Sequence, residues 1–294
     1  MAGPVTPRSG SNRARIALRI GPYRLEAATE FGPRLTGLRR DKGPEFFAQL
    51  GEDVAIDLPD SGTFRFHGGH RLWAAPEIPS VTYSPDDHSC VVSTGDNGLT
   101  ITAPADAAGL VKEMSVRLDG NGLVVDHRLT NAGSGPASIA AWAITQFRLG
   151  GSALLPIGPS TVGDRFQADR SIAIWPYTNL TDPRLSWQEG TAVVQAIAGP
   201  RFKIGSGPSP GRLGYLIDRQ LFTKEIAPAG AGAYADRGAV GQVFVDDSFC
   251  ELESVGPIVG LEPGSSVNHR EFWEITECAD LATAYRRLLN EAGR

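Results

Sequence analysis

Two histidines, an arginine, a tryptophan and a glutamate fall within twelve residues, F-H-G-G-H-R-L-W-A-A-P-E, from Phe66 to Glu77. The paired glycines Gly68 and Gly69 let the backbone turn where a Cβ would clash, so neighbouring side chains can converge. Imidazoles exchange protons near neutral pH, a guanidinium anchors hydroxyls or oxyanions, and an indole offers a flat apolar plate. A sugar asks for that mixture, with polar groups for its hydroxyls and an aromatic face for its C–H surface. The same residues also fit a rigid loop whose His and Arg satisfy local backbone groups. His67 and His70 lie three apart with Glu77 nearby, but His-x-x-His in a glycine loop is a weak metal signal, and neither a metal nor a cofactor is expected.

The elements that must position these residues read as strands. Ile16, Leu18 and Ile20 alternate with polar or small neighbours, and Tyr23, Leu25 and Ala27 resume the alternation after Gly21-Pro22. Lys112, Met114, Val116 and Leu118 predict one face of a strand. Asp119-Gly120-Asn121-Gly122 turns the chain, and Leu123, Val125, His127 and Leu129 return it. His127 shares that apolar face and reads as a satisfied core histidine. Further short strands are expected at 88–93, 98–103, 138–147, 171–175, 192–197, 213–218, 241–246, 249–255 and 268–276. Gly205–Gly211 reads as a hairpin loop. One helix is expected, from Asp280 to Asn290, with Leu281, Ala284, Tyr285, Leu288 and Leu289 on one stripe and Asp280 at its cap. Many antiparallel strands without alternating helices predict an all-β sandwich.

Composition bounds the function. A chain of 294 residues with 41% hydrophobic content can build a large single core, and 35 Gly with 21 Pro favour turns over long helices. A formal charge of −5 without a basic-aromatic cluster argues against nucleic acid or an anionic membrane as partner. Cys90, Cys250 and Cys278 are odd in number and lack metal-ligand spacing, which with the absence of a secretory apolar core predicts a cytoplasmic protein. Residues 1–14 read as a disordered lead and 15–294 as a single domain. Neither a phosphate-cradling glycine loop nor a Gly-x-Ser-x-Gly elbow is present.

Several segments together resemble the galactose mutarotase-like (aldose 1-epimerase-like) superfamily. They are H-G-G-H-R-L-W-A-A-P-E at 67–77, W-P-Y-T-N-L-T-D-P-R at 175–184, K-I-G at 203–205, E-L-E-S-V-G-P at 251–257 and L-E-P-G-S-S-V-N-H-R-E-F-W-E-I at 261–275. The resemblance runs in order from about Arg15 to about Ile275. It implies a supersandwich of two large antiparallel sheets with a short C-terminal helix, and a saccharide site on the concave face of one sheet. It implies an isomerase acting at the anomeric carbon by general acid/base catalysis, with Glu253 of Leu252-Glu253-Ser254 as the base and His67 matching a sugar-site histidine.

The resemblance breaks at one position. The mid-chain catalytic histidine of mutarotases has no counterpart in A-A-W-A-I-T-Q-F, where Trp142 and Gln146 stand and neither is a general acid at pH 7. His70 or His67 is therefore the expected acid, Arg71 and Lys203 the expected anchors, and Glu77 a group that orients His70 or Arg71. Trp73, Trp175 and Tyr177 are expected stacking surfaces. Lys203 and Lys224, if both reach one cavity, favour an anionic saccharide. Asp236 suits either a hydroxyl contact at the rim or a turn before Gly238. Strand parity puts Glu251 on the same face as Glu253. The missing histidine also admits a non-catalytic carbohydrate-binding or sugar-sensing domain.

Overall fold

Period-2 patterning becomes two antiparallel sheets of ten strands each. The computed structural model describes residues 15–59, 62–158, 166, 170–188, 190–207, 211–227 and 232–290, so the expected lead at 1–14 lies outside the described residues. In hydrogen-bonded order the first sheet runs Arg15–Ile20, Tyr23–Ala28, Arg34–Arg40, Gly69–Ala75, Ala137–Phe147, Cys250–Val255, Gly241–Val245, Phe202–Ser206 and Ile172–Ile174, with Val259–Leu261 also pairing along Ala137–Phe147. The second runs Leu185–Gln188, Thr191–Gln195, Ser152–Pro156, Arg212–Ile217, Gln220–Ile226, Ser266–Glu277, Gly122–Asn131, Leu110–Asp119, Gly98–Thr102 and Val91–Gly95. A two-stranded pair, Ala55–Leu58 with Gly62–Arg65, stands apart from both.

The expected hairpin forms in the expected register, with Leu118 opposite Leu123, Val116 opposite Val125 and Met114 opposite His127. Its apolar face joins the main core, where Leu252 and Val243 of the first sheet meet Leu123 and Trp273 of the second. The C-terminal helix spans Leu281–Asn290. The Thr283 amide donates to the Asp280 carboxylate at 2.7 Å, and Ala284 and Leu288 pack on Leu154 and Leu221 of the second sheet. The segment 205–211 is not a hairpin loop. Phe202–Ser206 belongs to the first sheet and Arg212–Ile217 to the second, so the chain changes sheets there, and residues 208–210 lie outside the described residues.

The largest departure concerns the glycine-flanked cluster, which reads as a loop but forms a strand from Gly69 to Ala75 at the middle of the first sheet. All seven of its residues are buried. Leu72 and Ala74 pack on one side with Leu129 and Ala141, whereas Trp73 and Ala75 pack on the other with Phe64 and Trp142. A strand covered on both faces loses the polar half of its alternation and no longer announces itself by period. His67, Gly68 and Gly69 all have positive φ (55°, 81° and 74°) and turn the chain into that strand.

Close approach explains the second glycine. A Cβ on Gly69 would lie 2.0 Å from the Leu35 carbonyl oxygen. Gly69→Ala is therefore expected to cost at least about 2 kcal/mol in urea denaturation, combining a backbone clash with an unfavourable φ. Gly260→Ala, where a Cβ would meet nothing within 4 Å, serves as the control and should stay within about 0.5 kcal/mol. Equal midpoints for the two variants would refute this account of the turn.

Candidate functional site

Alternation along five adjacent strands of the first sheet assembles one polar-aromatic face turned away from the second sheet. Arg71 and Glu253 both lie opposite Ile144 in the ladder, and Gln242 lies opposite Glu253. The neighbouring row places Gln146 opposite Glu251, Glu251 opposite Phe244, and Phe244 opposite Lys203. Trp73 and Trp142 face each other in the third row, with ring centroids 5.4 Å apart. Above this face lies a cavity of about 490 Å³, a size typical of small-molecule sites. Arg71, Trp142, Lys203 and Glu251 line its base, with Phe66, Tyr83, Trp175, Tyr177, Phe244 and Phe249 around them.

The charges on this face are buried in pairs. The Arg71 guanidinium donates through Nη2 to Glu251 Oε1 at 3.0 Å, and Gln146 Nε2 donates to the same oxygen at 3.0 Å. Lys203 Nζ and Trp142 Nε1 each donate to Glu253 Oε2 at 2.8 Å. Glu253 Oε1 is left without a hydrogen-bond partner, as are Arg71 Nε and Nη1. Lys203 Nζ lies between two indoles, 4.9 Å from the Trp142 ring centroid and 4.6 Å from that of Trp175. Such cation–π contacts hold the amine over Glu253. Glu253 has no exposed surface and sits one layer beneath the cavity, whereas Glu251 lines it. Burial pushes the Glu251 carboxyl up to about 7, against the lowering pull of Arg71.

A second polar network lies on the opposite face of the same strands, between the sheets. His70 and Arg71 are consecutive, so strand geometry sends them to opposite sides. His70 Nε2 meets His127 Nε2 at 2.7 Å, and His70 Nδ1 meets Thr145 Oγ1 at 2.8 Å. His127 Nδ1 lies 3.1 Å from the His269 carbonyl. That carbonyl can only accept, so Nδ1 carries the His127 proton, and the chain closes as Thr145 hydroxyl to His70 to His127 with both rings neutral. Beside them Lys224 Nζ pairs with Glu271 at 3.0 Å and donates to the Leu252 carbonyl at 3.2 Å. Ser254 bonds both His269 and Glu271.

The expected site residues thus divide. Arg71, Trp73, Glu77, Trp175, Tyr177 and Lys203 share the cavity, with Glu253 directly behind it through Lys203 and Trp142. His70 does not join them, being wholly buried between the sheets. His67 packs at a tilt against Phe31 with centroids 4.1 Å apart and bonds Asp87 at 3.2 Å, away from the cavity. Lys224 belongs to the second sheet and has no exposed surface, so Lys203 and Lys224 do not form one anion-binding pair. Glu77 accepts from the Tyr83 hydroxyl rather than orienting His70 or Arg71. Asp236 accepts from Gln242 Nε2 at 2.9 Å and borders a separate hollow beside Trp175. Trp73 is 4% exposed, with the Arg71 guanidinium 4.0 Å over its ring, so its plate is already occupied. Tyr177, 45% exposed, keeps a free face.

Sequence reasoning missed Tyr83, Gln242, Phe244 and Phe249, and it took Trp142 only as an obstacle. Parity along Gly241–Val245 could have found Gln242 and Phe244, since both lie opposite the glutamates of the next strand. Among the described residues, two groups bring metal-ligating atoms within 4.8 Å of one another: His70, His127 and Glu271, and His67, Asp86 and Asp87. Each carboxylate there already faces a protein cation, Lys224 at Glu271, Arg34 at Asp86 and Arg65 at Asp87. A metal would have to displace them, so neither donor set fits one as it stands.

No protein-family profile matches the chain, and no curated protein matches it. Solved structures share the fold. A candidate aldose 1-epimerase from Klebsiella pneumoniae superposes with a TM-score of 0.59 at 12% identity, over 97% of this chain and 89% of that one. A galactose mutarotase related enzyme from Lactobacillus acidophilus gives 0.54 at 10% identity, over 90% and 98%. A galactose mutarotase-like protein from Lactobacillus casei gives 0.52 at 12% identity, over 89% and 100%. At these identities the likeness is one of fold, and the fold is the galactose mutarotase-like supersandwich.

The buried imidazoles dictate how stability responds to acid. Burial holds His269 and His67 at about 4, below the ordinary 6.5, and lowers His70 and His127 as well. The unfolded chain therefore binds protons first as pH falls from about 6.5 to about 4, and stability declines across that window. Glu271, held low chiefly by Lys224 against its burial, declines in the same direction at still lower pH. Glu251, raised by burial, opposes the trend between 4.5 and about 7. Four histidines outweigh one carboxyl, and a fully displaced histidine is worth on the order of 3 kcal/mol. Urea midpoints should drop steeply between pH 7 and pH 5; a flat profile there would contradict the neutral inter-sheet network.

Proposed function

We propose that this protein interconverts the anomers of an aldose by acid/base catalysis through the Glu251–Glu253 pair. One observation carries the reading. Two carboxyls stand side by side under an aromatic-walled cavity, Glu251 lining it and Glu253 one layer behind, each with one oxygen held by two donors and the other not held by either. Opening a pyranose ring requires a proton to leave the anomeric hydroxyl and another to reach the ring oxygen, which two such groups can accomplish. Tyr177 and Trp175 suit the C–H face of the ring, and the unpartnered nitrogens of Arg71 suit its hydroxyls. Arg71 and Lys203 are each matched by a glutamate, which favours a neutral aldose over a uronate.

Glu253 is the base. Its Oε2 is committed to Lys203 and Trp142, which leaves Oε1 to take the proton of the anomeric hydroxyl. That oxygen is buried in the free protein, so the reading requires the cavity-lining Lys203 side chain to shift when a sugar binds. Trp142, standing where mutarotases carry a histidine, serves here to hold the base.

Proton NMR of anomer exchange in a panel of neutral aldoses tests this reading. Wild type should accelerate exchange of at least one sugar, and Glu253→Gln should lower kcat/KM by about 100-fold or more, the usual scale of a lost general base. Equal rates in the two proteins would remove Glu253 from the chemistry. Saturable binding of an aldose with no acceleration by wild type would instead make the cavity a sugar-binding module.

A further inference from the structure

Anomer exchange needs an acid as well as a base, and the two histidines nearest in sequence to the site are turned away from it. The acid must therefore be one of the groups that line the cavity. Tyr83 and Tyr177 line it, but burial raises both phenols above their ordinary value, which leaves them poor proton donors. Lys203 is committed to Glu253. Glu251 differs from these in geometry. Both of its donors, Arg71 Nη2 and Gln146 Nε2, fall on Oε1, and no described residue donates to Oε2. A proton on this carboxyl therefore resides on Oε2, the oxygen not engaged by the strand neighbours.

We propose, resting on the anomeric-carbon reading above, that Glu251 is the general acid that protonates the ring oxygen while Glu253 deprotonates the anomeric hydroxyl. Residues two apart on one strand have their Cβ atoms about 6.6–7 Å apart. A ring oxygen and its neighbouring anomeric hydroxyl fill such a span with one hydrogen bond of about 2.7 Å at each end. In the forward step Glu253 Oε1 takes the proton from the anomeric hydroxyl, whose oxygen becomes the aldehyde carbonyl. The bond from C1 to the ring oxygen breaks, and its electron pair takes the proton from Glu251 Oε2. Rotation about the C1–C2 bond turns the other aldehyde face to the hydroxyl. Closure reverses both transfers: Glu251 recovers its proton, and Glu253 returns one to the new anomeric oxygen. No other reactant is consumed.

The surroundings of Glu251 suit the task. Burial and the neighbouring Glu253 carboxylate raise it, Arg71 and Lys203 lower it, and the balance at about 7 keeps a substantial protonated fraction near neutrality. Gln146 has a positioning role. It is neutral and donates only to Glu251, so it favours the ionised carboxylate without touching substrate.

The test is the pH dependence of kcat/KM for anomer exchange in wild type, Glu251→Gln, Glu253→Gln and Gln146→Leu. Wild type should lose rate as pH rises through about 7. Glu251→Gln should fall about 100-fold or more at pH 6 and lose that alkaline decline. Gln146→Leu should carry the decline to higher pH whatever its effect on the maximal rate, because the ionised carboxylate has lost a donor; a merely structural defect would lower the rate at every pH without moving the limb. This variant decides the matter even if Glu251→Gln does not fold. An active wild type with no alkaline decline, a Glu251→Gln enzyme within threefold of it, or an unmoved limb in Gln146→Leu would overturn the assignment of Glu251 alone. A wild type that accelerates no aldose would remove the anomeric-carbon reading itself, and this proposal with it.

Discussion

A carboxylate with no exposed surface is costly unless its charge is met inside the protein, and Glu253 is met at one oxygen by an ammonium and an indole N–H. That requirement organises the rest of the face. Lys203 must come from two strands away, Trp142 from the adjacent strand, and the Lys203 amine is then enclosed by Trp142 and Trp175. Arg71 and Glu251 repeat the arrangement beside it. Removing Lys203, Glu253, Arg71 or Glu251 would strand an opposite charge in a layer otherwise built from Phe64, Trp73, Ile144 and Val255. In the free protein the charges of the cavity base thus satisfy one another.

The same strands carry a second charged layer on their other side. Lys224 and Glu271 pair between the sheets, and Lys224 also holds the carbonyl of Leu252, the residue between the two cavity glutamates. The Cys250–Val255 strand is therefore gripped from both faces, by Lys203 and Arg71 on one and by Lys224 through its backbone on the other. Ser254, pointing inward beside Glu253, ties the same strand to His269 and Glu271. This back-to-back arrangement links the stability of the sandwich to the position of the carboxyls.

Supersandwiches of this kind bring a broad sheet face and a set of covering loops, and a shared fold does not dictate shared chemistry. What distinguishes this chain is the choice of side chains on that face. A tryptophan stands where the resemblance leads one to expect a histidine, and it contributes a hydrogen bond to the neighbouring glutamate instead of a titrating group. Proton-handling capacity at the cavity then rests with carboxyls, and the imidazoles serve the interior.

Legibility from sequence followed polar–apolar alternation and not exposure, since Cys250–Val255 is as fully buried as Gly69–Ala75 yet keeps its alternating glutamates. The hairpin through Asp119–Gly122, the helix at Asp280 and the strand bearing Glu251 and Glu253 were all readable, since turn residues and period-2 or period-3.6 patterns are local properties. Parity alone put the two glutamates on one face. The Gly69–Ala75 strand was not readable, because both its faces are covered and its apolar run carries no period. That single misreading as a loop is why His70 and Arg71 were expected to converge, when consecutive strand residues must diverge. Which side of each strand is cavity and which is core, and hence that Lys203 meets Glu253 while Lys224 meets Glu271, depends on which strands become neighbours. That is settled by contacts between residues far apart in the chain, and no local pattern encodes it.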